Sequence, residues 1–246
     1  MPAASDSKYY VQAGWDDAPH LDDKTKREML RDTPPYMRNA RSKGEPSLGA
    51  GAIWPVEESE IIVQPFAIPE YWGRVYALDV GWKRTACLWG AYDRDSDVVY
   101  LYSEHYRGQA EPSVHADAIK ARGEWIPGVI DPAARGRSQI DGQRLIANYM
   151  GLGLKLTTAN NAVEAGLIDV WQRLSSGRMK VFSSLTNWLA EWRLYRRDEK
   201  GNIVKQFDHL MDTTRYLSMS GLPLAITRPI PRLGVNVGVA DTTAGY

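Results

Sequence analysis

Three strand-like runs with very short connections constrain the fold of this 246-residue chain more than any other feature. The runs are Val75–Val80, Thr85–Tyr92 and Val98–Tyr106, and each is rich in β-branched or aromatic residues. The connections at 81–84 and 93–97 allow only antiparallel hairpins, because a parallel neighbour needs a crossover of about a dozen residues or more. The sequence therefore predicts an antiparallel unit of three strands.

Beyond residue 107 the pattern alternates between helical and strand-like segments. Helices are predicted at Pro112–Glu124, Gln139–Met150, Val163–Leu174, Leu185–Arg197 and Phe207–Ser218, and strands at Gly128–Asp131, Lys155–Thr158 and Met179–Phe182. This is the element order of the ribonuclease H-like fold, in which the first strand after the helix lies parallel to the opening strand and beside it, and the right-handed crossover rule is consistent with that placement. The order predicts an α/β protein with a ribonuclease H-like mixed sheet, three antiparallel strands and then parallel strands, flanked by helices.

The predicted domain covers residues 71–220. Residues 1–70 are interpreted as a lead-in with one short helix at Asp22–Arg31, which is stopped by Pro34 and Pro35. Residues 221–246, with three prolines and several glycines, are predicted to form a flexible tail.

Composition narrows the class of protein without naming a substrate. The net charge is +0, and Cys87 is the only cysteine, so a disulfide framework and a zinc cluster are excluded. No apolar run reaches the length of a membrane span and no signal peptide opens the chain, which predicts a soluble, cytosolic protein. Residues 120–215 carry 15 Lys and Arg against 10 Asp and Glu. A DNA groove and a solvated helix face explain this excess equally well.

Three aspartates stand where carboxylates reach the edge of the predicted sheet. Asp79 lies near the end of the first strand, Asp131 closes the strand at 128–131, and Asp212 lies in the last helix. Hard oxygen ligands suit Mg²⁺ or Mn²⁺, and a pair of such ions is a common device for cutting phosphodiesters. The pattern predicts metal-dependent nuclease chemistry with these three residues as catalytic metal ligands.

The neighbours of these aspartates fit the same chemistry. Asp208 stands four residues before Asp212, so both face one side of the helix, and His209 is the one histidine near the predicted site. Arg135 and Arg137 follow Asp131 and are suited to hold phosphate.

Structural alternatives remain open at each position. Asp79 and Asp131 are also suited to capping turns at strand ends. Asp212 is three residues before Arg215, a spacing typical of a helical salt bridge.

A series of spaced motifs resembles the C-terminal nuclease domain of the large terminase subunit of tailed bacteriophages, over residues 71–220. The motifs are ALDVGW (77–82), IDPAARG (130–136), NNAVEAGLIDVWQRL (160–174), LAEWRLYRRDEKGN (189–202) and DHLMDTTRYL (208–217). The stretches Gly44–Glu45–Pro46 and Gly49–Ala50–Gly51 resemble the segment that joins the motor ATPase to the nuclease.

The resemblance implies an endonuclease that cuts double-stranded DNA during genome packaging, with two divalent cations, Mg²⁺ or Mn²⁺. It implies metal-binding roles for Asp79, Asp131 and Asp212, with Asp208 as a fourth ligand or a ligand through water. It also implies the small terminase subunit and the portal as partners, no membrane, and the cytoplasm of the infected bacterial host as location. The chain has no G-x-x-x-x-G-K-[ST] phosphate loop, so the motor half is expected to be missing.

A packaging nuclease has to act on many sequences, so we expect contacts to phosphates rather than to bases. The candidate DNA-binding residues are Arg135, Arg137, Arg193, Arg196 and Arg197. Two other functions remain open: a non-catalytic DNA-binding or docking module of a packaging machine, and a resolvase- or transposase-like nuclease of the same fold. An actin-like ATPase would need a second lobe and glycine-rich phosphate loops, which the sequence lacks.

Overall fold

The structure, a computed structural model, describes residues 14–31, 42, 51–135, 145–198 and 201–229. The strands in these ranges are β1 (Ile62–Val63), β2 (Gly73–Asp79), β3 (Thr85–Asp93), β4 (Val98–Arg107), β5 (Gly128–Ile130), β6 (Leu156–Thr158) and β7 (Met179–Phe182). The α-helices are α1 (Asp23–Arg31), α2 (Glu58–Ile61), α3 (Pro112–Lys120), α4 (Leu145–Gly151), α5 (Val163–Ser175), α6 (Thr186–Leu194) and α7 (His209–Tyr216). A π-helical turn over Leu217–Gly221 continues α7.

The strands form one mixed sheet in the order β1, β7, β4, β3, β2, β5, β6. β2 pairs antiparallel with β3, and β3 pairs antiparallel with β4, as the two short connections require. β5 then lies parallel to β2, and β6 parallel to β5. On the other side, β7 lies parallel to β4. The prediction of three antiparallel strands followed by parallel strands is confirmed.

The alternation of side chains along β2 and β5 decides where the strand-end aspartates point. Val75 and Ala77 pack in the same buried cluster as Val129 of β5, whereas the intervening residues of β2 pack on the opposite face. The period of two therefore places Asp79 and Asp131 on the face of Ala77 and Val129. The helix α7 packs on β2 and β3 over this face, so both aspartates lie on its side of the sheet.

The helix ends differ from the predictions by a few residues, and one prediction is only partly visible. The last helix begins at His209 rather than at Phe207, and α6 ends at Leu194. The helix predicted from Gln139 is described from Leu145 onward, and its first residues lie outside the described ranges.

No helix in the described part of the chain is long and apolar enough to cross a bilayer.

Part of the segment predicted as a lead-in packs onto the sheet. Trp54 and Ile61 are buried in the core, and the Trp54 indole nitrogen donates a hydrogen bond to the carbonyl of Leu167 at 3.0 Å. β1 extends the sheet through pairing of Ile62 with Val181. The packed unit therefore begins before residue 71, because two short apolar runs between prolines and glycines suffice to form an edge strand and an anchor.

The segment after Gly221 also differs from the predicted flexible tail. Leu222 and Ala225 are buried, and the backbone of Ile226 exchanges two hydrogen bonds with Arg74 at the start of β2. Two apolar side chains without helical or strand periodicity hold residues 222–226 against the sheet. Residues 230–246 lie outside the described ranges.

Asp97 links the turn between β3 and β4 to α5 and to the start of β7. This residue has a φ of 53° and accepts hydrogen bonds from the Tyr92 hydroxyl at 2.7 Å, from Arg178 at 2.7 Å and from Arg173 at 3.2 Å. The hydrogen bond from Tyr92, together with that from Arg178, lowers the pKa of Asp97 to about 2. The turn is therefore linked to α5 and to the start of β7 by a carboxylate held in its charged form.

The Asp97→Asn substitution tests this link, because Asn tolerates the left-handed backbone but carries no charge. We expect a loss of about 1 kcal/mol in unfolding free energy at neutral pH, a discounted value because the side chain is 40% exposed. The depressed pKa means that the stabilisation is complete above the unfolded pKa near 3.8 and disappears as the pH falls toward about 2. Urea unfolding of both proteins across this range should show the gap closing; a gap that does not depend on pH would contradict the ionic link.

Candidate active site

The start of α7 is anchored by a buried glutamate from the neighbouring helix. Glu191 of α6 is 3% exposed; its Oε2 accepts the backbone N–H of Leu210 at 2.6 Å, and its Oε1 accepts the hydroxyl of Tyr106 at 2.5 Å. Burial raises the pKa of Glu191, while the two donors stabilise the carboxylate. A carboxylate at the helix N-terminus satisfies a backbone donor there, so Glu191 fixes the position of α7.

Asp79 meets this helix at its first residue. Its Oδ2 lies 2.8 Å from Nδ1 of His209. Burial raises the pKa of Asp79 against the effect of His209, and the carboxylates of Asp131 and Asp212 raise it further. The hydrogen bond with Asp79 in turn raises the pKa of His209. The three predicted aspartates therefore share one electrostatic environment.

Asp131 is held beside Asp79 by the sheet and by α7. Its backbone N–H donates to the carbonyl of Leu78 at 2.9 Å, which continues the β2–β5 pairing past the last strand residue. Its Oδ1 accepts the hydroxyl of Tyr216 at 3.1 Å and the backbone N–H of Ala133 at 3.1 Å. The turn-capping alternative is thus present, but Tyr216 also ties the same oxygen to the far end of α7.

Asp212 lies between two cationic side chains. Its Oδ1 accepts a hydrogen bond from Arg215 at 3.0 Å, so the salt-bridge alternative also forms. Its Oδ2 lies 3.5 Å from Nζ of Lys205, and this ammonium is 3.0 Å from Oδ2 of Asp208. One lysine therefore bridges the two aspartates, although Asp208 is the N-cap residue before α7 rather than part of the helix as predicted.

The side chain of Arg215 occupies the space that Gly166 of α5 leaves open. The side chain is 1% exposed, donates to Asn161 at 3.3 Å and lies over the ring of Tyr216 at 4.6 Å. A Cβ at Gly166 would stand 2.3 Å from Cγ of Arg215, so only glycine leaves room for the guanidinium stem. The orientation of Asp212 thus depends on a packing contact between two helices.

The carboxylates of the site are engaged by the chain's own donors. Within the described ranges, no three His, Cys, Asp or Glu side chains already stand in a metal-binding group.

The side chain of Phe207, just before Asp208, is half exposed, and its backbone adopts a φ of 55°, which bulky residues rarely adopt. Strained backbone of this kind is enriched at functional sites.

The arginines predicted to bind DNA are placed differently from one another. Arg193 forms a two-point ion pair with Glu58, and Arg197 pairs with Glu164 at 2.6 Å. Arg196 is exposed. Arg135 ends the 3-10 turn that follows Asp131, and Arg137 lies outside the described ranges.

Glu104 of β4 caps the first turn of α6 through the backbone N–H groups of Asn187 and Trp188, the structural role that its place on the third strand favours. Other residues at this edge were not found by sequence reasoning. Lys205 and Tyr216 contact the aspartates, and Glu191 places the helix that carries them. A spacing signal existed for Tyr216, four residues after Asp212, whereas Lys205 and Glu191 lie in a loop and on another helix and carry none.

Comparison with known proteins agrees with this architecture. Residues 77–220 match the family model described as terminase RNaseH-like domain. The large terminase subunits of Enterobacteria phage LP7 and Salmonella phage P22 are each 32% identical to this chain over 211 residues, which is 81% of this chain and 44% and 42% of theirs. The chain thus spans less than half the length of these curated relatives.

Solved structures give the same result. The nuclease domain of the P22 large terminase has a TM-score of 0.67 at 30% identity, with 73% of this chain and 96% of that chain covered. The large terminase of the thermophilic bacteriophage D6E has a TM-score of 0.62 at 21% identity over 85% of this chain and 54% of that one, a likeness of fold alone. The predicted ribonuclease H-like fold and the resemblance to terminases are confirmed, and the chain belongs to the terminase RNase H-like domain family.

Proposed function

We propose that this chain is a divalent-metal-dependent endonuclease that cuts double-stranded DNA during phage genome packaging. The observation that supports it best is the convergence of Asp79, Asp131 and Asp212 from two strand ends and one helix, where burial and then the other two carboxylates raise the pKa of Asp79. Such a cluster needs positive charge, and a folded protein keeps repelling carboxylates together where function requires them.

The donor set fits a hard dication. The proposed ligands are the oxygens of Asp79, Asp131 and Asp212, with Asp208 beside them, and we propose two ions, Mg²⁺ or Mn²⁺. A metal bound there would activate a water for attack on phosphorus and stabilise the leaving oxygen. The ammonium of Lys205 and the guanidinium of Arg215 now neutralise part of the charge on Asp212. Metal binding therefore requires these contacts to loosen.

The chain's own residues orient the ligands. His209 holds one oxygen of Asp79, Tyr216 holds one oxygen of Asp131, and Arg215 holds one oxygen of Asp212. In Asp79 and Asp131 the contact involves one carboxylate oxygen and leaves the other to a second partner, whereas the second oxygen of Asp212 faces Lys205. Because all three contacts come from α7, a shift of this helix would change all three ligands together.

The ion pairs of Asp212 also favour a second candidate, a non-catalytic DNA-binding module in which the carboxylates serve only the fold. Cleavage assays separate the two candidates. Family membership favours a terminase over a resolvase- or transposase-like nuclease. In the proposed role the small terminase subunit and the portal are partners, and the host cytoplasm is the location.

Substitution of the three aspartates tests the catalytic proposal. Asp79→Asn, Asp131→Asn and Asp212→Asn should each slow plasmid cleavage in Mn²⁺ by about a hundredfold or more, because each removes a charged ligand. The melting temperature should hold for Asp79→Asn, since the fold already disfavours the charged form of this residue. The control is Asp117→Asn, whose carboxylate is 74% exposed on α3. Asp79→Asn protein that cuts at the parent rate would falsify the proposal.

Metal binding is tested separately by thermal unfolding. A dication that binds only the native state at about a hundred times its Kd adds roughly 2.7 kcal/mol, which for a chain of this size raises Tm by about 5–10 °C. Lys205→Gln should bind Mn²⁺ more tightly, because its ammonium no longer competes for Asp208 and Asp212. Lys120→Gln, on α3, is the matched control. The proposal fails if Mn²⁺ leaves the melting curves of parent and Lys205→Gln unchanged.

Phosphate contacts are tested by the salt dependence of DNA binding. Each contact contributes about 0.9 to the slope of log affinity against log salt, so Arg135→Ala should lower the slope by about that amount. Arg193→Ala should change it little, because Glu58 already pairs with that guanidinium. Titrations on two duplexes of unrelated sequence, in Ca²⁺ to slow cleavage, measure both effects. Equal slope losses in the two variants would show that the ion pair does not decide which arginines meet DNA.

A further inference from the structure

The turn between β2 and β3 presents a tryptophan to solvent beside the proposed site. The turn begins directly after Asp79, and its residue Trp82 is 65% exposed. Single exposed apolar residues are common on protein surfaces. The location of Trp82, the rigidity of its backbone and the charge of its neighbours distinguish this one.

The backbone of the turn is fixed on both sides. The carbonyl of Trp82 accepts the N–H of Gln109 at 2.8 Å, and the buried hydroxyl of Thr85 donates to the carbonyl of Gly81 at 3.1 Å. A Cβ at Gly108 would stand 2.0 Å from the carbonyl oxygen of Lys83, so the chain after β4 lies directly against the turn. The ring is therefore presented from a fixed base, which lowers the entropy lost when it binds.

The turn carries two cations and no acid. Lys83 is exposed, and in the described part of the chain neither Lys83 nor Arg84 takes part in an ion pair. Arg84 lies over the ring of Tyr106 at 4.3 Å. A cationic turn next to an acidic edge is suited to a polyanion that brings one phosphate to the carboxylates.

The turn is also linked to the helix that carries the site. The ring of Tyr106 lies under Arg84, and its hydroxyl donates to Glu191, which holds the first turn of α7. The position of the turn relative to Asp212 is thus set by side-chain contacts as well as by the chain itself.

We propose that this turn is a DNA-contact element: Trp82 packs against a base or sugar of the duplex beside the phosphate that is cut, while Lys83 and Arg84 contact the backbone. Aromatic side chains bind nucleic acid in this way without selecting a sequence, and apolar wedges also enter the minor groove. The inference rests on the proposed nuclease function and adds the part of the surface that meets the substrate.

The test compares Trp82→Ala, Trp82→Phe and Lys83→Ala with a control, Trp171→Ala. Trp171 is 42% exposed on α5, two residues before Arg173, which pairs with Asp97 in the turn between β3 and β4 at the opposite end of these strands. Binding to a labelled duplex is measured in Ca²⁺ at several salt concentrations. Melting temperatures confirm that each variant folds, and cleavage in Mn²⁺ is measured on the same proteins.

Trp82→Ala should weaken binding about tenfold with an unchanged salt slope, because a stacking contact releases no counter-ion. Trp82→Phe should stay within about threefold of the parent, since a phenyl ring keeps a stacking face. Lys83→Ala should lower the slope by about 0.9. Trp171→Ala should match the parent.

Three results would overturn the inference. The first is parent affinity in Trp82→Ala, which would leave the turn to a protein partner. The second is an equal loss in Trp82→Ala and Trp171→Ala, and the third is a parent protein that does not bind DNA. The nuclease proposal fails independently: a parent that binds but does not cut, with binding still lost in Trp82→Ala, would remove the catalysis and keep the contact.

Discussion

The hydrogen bond between the buried carboxylate of Glu191 and the backbone of Leu210 is the interaction on which the site depends. It joins two consecutive helices, α6 and α7, through residues 19 positions apart, and it fixes α7 at its first turn. A buried carboxylate without donors costs several kcal/mol, so the second donor, the hydroxyl of Tyr106, is part of the same anchor. Once the start of α7 is set, the helical repeat brings His209 to Asp79 and, two turns later, Tyr216 to Asp131.

The electrostatics of the edge follow from that placement. Burial raises the pKa of Asp79, and the carboxylates of Asp131, after β5, and of Asp212, on α7, raise it further. The described structure offsets this repulsion with the chain's own cations, Lys205 across two aspartates and Arg215 on one. A dication bound in the proposed role would compete with these ion pairs for Asp208 and Asp212. The same contacts would therefore influence both the stability of the acidic cluster and its proposed affinity for metal.

The sequence predicted those features that depend on local chemistry. The two short connections require antiparallel pairing of the first three strands. The strand ends place Asp79 and Asp131 at one edge and on one face, because successive side chains of a strand point to opposite faces. The contacts of Lys205 and Glu191 were beyond such reasoning, since they depend on how a loop and two helices settle in three dimensions. The edge strand β1 and the packing of the segment after Gly221 were not predicted for a related reason. Single apolar residues between prolines and glycines form no periodic pattern, even where they anchor a segment to the core. The metal-binding roles of the aspartates stay a prediction.

Two elements form the edge of the sheet that carries the proposed site: the β2–β3 turn and α7. Tyr106 connects them. Its ring supports Arg84 of the β2–β3 turn, and its hydroxyl supports Glu191 at the start of α7. The turn follows Asp79 by the chain itself, whereas the helix carries Asp212 and reaches the edge only through packing. One half-buried tyrosine on β4 therefore contacts a support of the surface proposed to meet DNA and a support of the carboxylates proposed to hold metal. We expect a substitution of Tyr106 to affect both, although its side chain contacts neither Asp79 nor Trp82 through any hydrogen bond in the described part of the chain.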